Sequence, residues 1–124
     1  MVPHKKVLVV EDDVSIRILL GTLLSHDGYA CEFSADGDDA VRRLRDSEYD
    51  AILLDLMLPG QLGFDVIDFL ASERPAMAPR VIVLTAASQA MLQNFDSTGI
   101  HVVMRKPFDI NQLRDHVRDC TSSD

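Results

Sequence analysis

Five side chains able to hold a cation or act as a nucleophile stand at the ends of short apolar runs. Glu11 and Asp12 follow Val7-Leu8-Val9-Val10, and Asp55 interrupts Ala51-Ile52-Leu53-Leu54-Asp55-Leu56-Met57-Leu58. Thr85 follows Val81-Ile82-Val83-Leu84, and Lys106 comes shortly after Val102-Val103-Met104. Apolar runs of this length closed by turn signals read as strands buried on both faces. An ionised Asp is rarely buried without a partner, so Asp55 is expected at its strand's end. Ligands of an open α/β sheet bind outside the carboxyl ends of its strands. There, three carboxylates, one hydroxyl and one ammonium would meet. Crowded carboxylates raise one another's pKa unless a cation joins them. Lys106 supplies one charge, and a hard divalent ion suits the remaining oxygens. Magnesium keeps several waters and completes its shell with phosphate oxygens.

That donor set points to phosphoryl transfer. A carboxylate can serve as nucleophile and form an acyl phosphate, while the surrounding groups position and neutralise the transferred group. Thr85 would donate its hydroxyl to a phosphoryl oxygen, with the small Ala86 and Ala87 leaving room. Each residue also has a plain structural alternative. Asp55 could cap the Pro59-Gly60 turn. Glu11 and Asp12 could cap a helix, Thr85 could satisfy its own backbone, and Lys106 could be a surface charge. Their coincidence at one sheet edge favours a site.

The elements that must position these groups alternate along the chain. After the first strand and the acidic Glu11-Asp12-Asp13, apolar residues from Val14 through Ile16, Leu19, Leu20, Leu23 and Leu24 recur at helical spacing and stop near Asp27-Gly28. Tyr29 to Phe33 reads as a second strand. Asp36 and Gly37 open a helix with Ala40, Val41 and Leu44 inward and Arg42, Arg43 and Arg45 on a solvated face. After the Asp55 strand, Gly63, Val66, Ile67 and Leu70 mark a helix ending before Pro75, and Pro75 and Pro79 bracket a connection. The fourth strand leads to a weaker helix with Met91 and Phe95 one turn apart, running toward Gly99. The last helix carries Ile110, Leu113 and Val117 on one face and stops near Thr121. Five buried strands alternating with five helices imply right-handed crossovers and a parallel sheet covered on both faces, an α/β fold.

The 124 residues fit one domain, with 47% apolar and 26% charged residues. A net charge of −8 argues against a nucleic-acid surface, which needs a basic face. No apolar stretch has the length of a membrane span and no signal-peptide pattern opens the chain, so a cytoplasmic protein is expected. Cys31 and Cys120 lie too far apart for a CxxC motif and read as free thiols. His4, His26, His101 and His116 are scattered and read as surface residues rather than ligands.

The ordered set Val9-Val10-Glu11-Asp12, Leu54-Asp55-Leu56-Met57-Leu58-Pro59-Gly60, Leu84-Thr85-Ala86 and Lys106-Pro107-Phe108 resembles the receiver domain of two-component response regulators. The likeness runs from Lys6 to Val117. It implies a flavodoxin-like (βα)5 fold with strand order 2-1-3-4-5, and one receiver domain over residues 1–124, with a core at about 6–119 and a tail or linker start at 121–124. By the same resemblance, Asp55 is the phosphoacceptor, taking its phosphoryl group from a phosphohistidine of a sensor histidine kinase or from a phosphotransfer protein. Glu11, Asp12, Asp55 and the backbone carbonyl of Met57 would hold magnesium, with manganese a substitute. Thr85 matches the switch hydroxyl and Lys106 the phosphate-contacting lysine. The peptide bond before Pro107 is commonly cis in the family. The fourth helix, fifth strand and fifth helix would form a dimer or output face, to which Met91, Leu92 and Phe95 could contribute. The domain itself would touch neither nucleic acid nor membrane.

Two positions depart from the family pattern. Val103 stands where an aromatic residue often partners the switch Thr, so the usual coupling of that pair cannot operate in its common form. Leu62 stands where an acidic residue is common before Gly63. Two other functions fit the residues less well. An aspartate-nucleophile phosphatase wants a second Asp two residues after the nucleophile, where Met57 stands. A pseudo-receiver that never carries phosphate typically lacks a key residue, and here all are present. The expectation is a signalling switch that catalyses its own phosphorylation and dephosphorylation, rather than an enzyme with a substrate of its own.

Overall fold

In the computed structural model, which describes residues 4–58, 63–93 and 95–122, the alternating pattern resolves into a five-stranded sheet with the order 2-1-3-4-5. The strands are β1 (Lys6–Val10), β2 (Ala30–Ser34), β3 (Ala51–Leu54), β4 (Val81–Thr85) and β5 (Val102–Arg105). Every neighbouring pair is parallel. The helices are α1 (Val14–His26), α2 (Gly37–Asp46), α3 (Gly63–Glu73), α4 (Gln89–Leu92) and α5 (Ile110–Thr121). A 3-10 turn over Pro75–Arg80 fills the expected connection, its prolines fitting a segment that need not donate a full helical ladder.

Side chains alternate across the sheet, which divides the core in two. Leu8, Val10, Ile52, Leu54, Val81 and Val83 face one way and pack with residues of α2 and α3. Val7, Val9, Ala51, Leu53, Ile82 and Leu84 face the other way, against α1 and α5. The central strands β1, β3 and β4 are therefore apolar on both faces. The edge strands differ from expectation: β2 and β5 are only partly buried, because each pairs on one side and its outer residues meet solvent. β2 also begins and ends one residue later than the sequence suggested.

Three helices start on an Asp. Asp13, Asp36 and Asp109 accept from the backbone N–H groups of Ile16, Asp39 and Gln112, occupying donors that the first helical turn leaves free. α4 is a correction. It closes after Leu92 instead of continuing toward Gly99. Phe95 lies beyond it, half-buried edge-on against Phe64 with ring centroids 5.3 Å apart. Leu92, Phe95, Ile100 and Val103 pack on the α2–α3 side of the core, so tertiary packing replaces the helical turn that the Met91–Phe95 spacing suggested. Met91 is exposed.

The arginines of α2 are less free than a solvated face implies. Arg43 bonds Asp39 at 2.8 Å and Glu32 at 3.2 Å, and Arg42 bonds Asp39 at 2.6 Å. The hydrogen bond from Arg43 is the main reason the Asp39 carboxyl is held down at about 2. Arg45 lies over the Phe69 ring. Cys31 and Cys120 are free thiols, raised above the ordinary range chiefly by burial. Among the described residues, no helix is long and apolar enough to cross a membrane.

Candidate functional site

The carboxyl edge of the sheet gathers the residues singled out from the sequence. Val10 and Leu54 are register partners at the ends of β1 and β3. The ladder extends one step further, with the Asp55 N–H donating to the Val10 carbonyl at 3.0 Å and the Glu11 N–H to the Ser34 carbonyl at 2.9 Å. Glu11 and Asp55 thus leave the sheet side by side, each the first residue past its strand. Across the sheet, Thr85 pairs with Arg105, and the Lys106 N–H donates to the Thr85 carbonyl at 2.8 Å. The Lys106–Pro107 bond is cis, as the family resemblance implied.

Glu11 and Asp55 are buried, 2% and 5% exposed, so each needs a partner for its charge. Lys106 provides it. Its Nζ donates to Glu11 Oε1 at 2.6 Å and to Asp55 Oδ2 at 3.2 Å. The remaining oxygens meet backbone donors: Asp55 Oδ1 accepts from the Met57 N–H at 2.9 Å, and Glu11 Oε2 from the Asp13 N–H at 3.2 Å. Arg17 donates to the Glu11 carbonyl at 3.1 Å. Burial pushes the Glu11 carboxyl above its usual value, and the bonds from Lys106 and Asp13 offset this only in part. Burial also works against the Lys106 ammonium, but the bond to Glu11 and the charges of Asp55 and Glu11 prevail and raise it.

Asp12 is exposed beside this pair. One oxygen each from Glu11, Asp12 and Asp55 lie within 4.8 Å of one another. An all-oxygen set of three carboxylates carrying more negative charge than one ammonium can offset fits a hard divalent cation. Thr85 is fully buried, and its Oγ1 accepts from the Ala87 N–H at 2.9 Å, which leaves the hydroxyl proton available to another acceptor.

Gly63 fixes the remaining wall. Its N–H donates to the Leu56 carbonyl at 3.0 Å, and a Cβ there would lie 2.5 Å from both the Asp55 carbonyl oxygen and the Leu56 Cα. Only a residue without Cβ lets α3 begin against the loop that carries Asp55. The Pro59-Gly60 turn and Leu62 lie outside the described residues.

The sequence suggested Glu11 or Asp12 as a cap, but Asp13 fills that role. The signal was its place three residues before Ile16, next to the first helical residue. His101 and His116 are not scattered: His101 Nε2 and His116 Nδ1 lie 3.2 Å apart. No sequence spacing shows this, because one precedes β5 and the other lies within α5.

The family model of the response regulator receiver domain matches residues 7–118. The chain belongs to that family. It is 32% identical over 116 residues to sporulation initiation phosphotransferase F of Bacillus subtilis (strain 168), covering 93% of this chain and 92% of that protein. It is 36% identical over 105 residues to the transcriptional regulatory protein ResD of the same organism, covering 83% of this chain but 42% of ResD. Among solved structures, the receiver domain of the sensor histidine kinase PA1611 from Pseudomonas aeruginosa PAO1 aligns with a TM-score of 0.85 and 31% identity, covering 98% of this chain and all of that one. That structure has a magnesium ion coordinated in its active-site cleft. The response regulator TrrA of Thermotoga maritima, in complex with Mg2+-BeF, aligns with a TM-score of 0.81 and 27% identity over 94% of this chain and 98% of that one. This receiver domain is thus a module of two-component phosphorelay signalling, and its acidic cluster could hold a metal ion.

Proposed function

We propose that Asp55 is the phosphoacceptor of a cytoplasmic receiver switch, which takes a phosphoryl group from the phosphohistidine of a sensor histidine kinase or a phosphotransfer protein. The observation that carries this reading is the Lys106 ammonium bridging two buried carboxylates, Glu11 and Asp55, at 2.6 and 3.2 Å. An Asp oxygen attacks phosphorus, the P–O bond of an acyl phosphate forms, and the P–N bond breaks with its electron pair left on the imidazole. Lys106 keeps its charge and swings between the Asp55 oxygen and a phosphoryl oxygen. Thr85 donates its hydroxyl proton to another phosphoryl oxygen. Attack of water on the same phosphorus later restores the carboxylate, so the domain supplies both reactions from one set of residues.

Glu11, Asp12, Asp55 and the Met57 carbonyl would hold magnesium, with manganese able to replace it. When bound, the ion offsets the charge gathered on the phosphoryl oxygens. The modified domain biases a two-state surface rather than building a new fold. Val103 occupies the usual aromatic position and packs half-buried on the core, so the output signal travels without a rotating ring. The face formed by α4, β5 and α5 is the surface we assign to dimer or output contacts. The domain itself contacts neither nucleic acid nor membrane.

The test is binding of beryllofluoride, a phosphoryl mimic, followed by fluorine NMR with and without Mg2+. One bound species that requires Mg2+ and is lost in Asp55→Asn supports the reading. Binding that persists in Asp55→Asn, or no binding at all, overturns it in favour of an inert interaction module.

A further inference from the structure

We propose that His101, His116 and Asp119 form a second cation site, selective for a borderline divalent ion such as Zn2+, at the end of the sheet opposite the phosphoacceptor. His101 lies just before β5, and its N–H donates to the carbonyl of Val81, the first residue of β4, at 2.9 Å. His116 and Asp119 stand three apart on α5, a spacing that puts both on one helical face. One donor atom from each residue falls within 4.8 Å of the other two.

The geometry and the donor chemistry support this assignment independently. The two ring nitrogens are 3.2 Å apart. Two nitrogens bound to one zinc at about 2.0–2.1 Å and a tetrahedral angle lie about 3.3 Å apart. The rings meet edge to face, with centroids 5.2 Å apart and an interplanar angle of 76°. Both rings are half-buried and Asp119 is exposed, which leaves an open side for a water as fourth ligand. A hydrogen bond between two neutral rings would satisfy the same nitrogen separation, but it gives the Asp119 carboxylate no part. Two imidazoles with one carboxylate favour zinc over magnesium. The all-oxygen cluster at the other end of the sheet has the reverse preference. One domain would therefore sort two cations by ligand type, and the ion at this end would tie the start of β5 to α5.

Calorimetric titration of Zn2+ into the full chain tests this, with millimolar Mg2+ present to occupy the oxygen cluster. The expected result is one equivalent bound, weakened at least about tenfold in both His101→Gln and His116→Gln. Co2+ in place of Zn2+ should give visible bands without the intense sulfur-to-metal band of a thiolate site. Unchanged affinity in both histidine variants, a sulfur band, or no binding at hundred-micromolar Zn2+ would each overturn the site. Far-UV circular dichroism verifies that the variants fold. If either histidine variant does not, Asp119→Asn, altered only at an exposed position, takes its place and must weaken binding for the proposal to stand.

Discussion

Lys106 decides the balance of charge around Asp55 and Glu11. It stands between two buried carboxylates, and removing one partner of a buried charge set costs more than the set contributes when intact. Lys106→Met should lose about 2–3 kcal/mol at neutral pH without a divalent ion, below the full cost of a buried pair because the pocket is open on the Asp12 side. Millimolar Mg2+ should recover most of that loss, as read from urea unfolding with and without the ion. Glu11 sets the pH response. Its folded-state carboxyl is raised above 4.5, burial being the largest cause, so protons compete for it earlier than for an ordinary carboxylate. Its own contribution to stability is therefore greatest below that value and is lost as pH rises through the raised one. Mg2+ affinity should in turn fall as pH drops through the raised Glu11 range. Titrations across mildly acidic pH should show that fall in the wild type and a flatter profile in Glu11→Gln.

At the scale of elements, the helix starts hold the site loops in place. Asp13→Ala removes the α1 cap and should cost about 1 kcal/mol in urea unfolding. Gly63→Ala drives a Cβ into the backbone at Asp55 and Leu56. It should cost more than about 2 kcal/mol, in the range of overpacked sites, and also slow phosphorylation, because the displaced backbone carries Asp55. The sequence made the central elements legible for a physical reason. β1, β3 and β4 are apolar on both faces, and the polar candidate residues Glu11, Asp55 and Thr85 mark their ends. Edge strands and α4 were less legible. β2 and β5 pair along one edge only and are partly buried, and α4 depends on the packing of Phe95 against Phe64, a contact between segments far apart in sequence. The candidate site residues were readable because each stands at or just past the end of a strand, whereas the His101–His116 pair joins a residue before β5 to one within α5, 15 positions on.

At the scale of the whole molecule, ion pairs on α2 and the proposed metal site shape the stability curve. Asp39 is held at about 2 against an ordinary 3.8. Its contribution is fully present above the unfolded value and is lost as pH falls from there toward the folded one. Allowing for its partly exposed partners, Asp39→Asn should cost about 1 kcal/mol at neutral pH and nothing once both values are passed, as acid unfolding curves would show. Because the proposed cation ligands come from loops after β1 and β3, Mg2+ binding should stabilise the entire domain. The expected gain is about 1.4 kcal/mol at a tenfold excess over Kd. Phosphorylation at Asp55 is read directly from the intact mass of the chain after incubation with acetyl phosphate and Mg2+, with Asp55→Asn alongside. The predicted result is a single phosphoryl adduct that requires Mg2+, is released by hydroxylamine and is absent from the variant. An adduct that survives in Asp55→Asn, or that resists hydroxylamine, would rule out an acyl phosphate at Asp55.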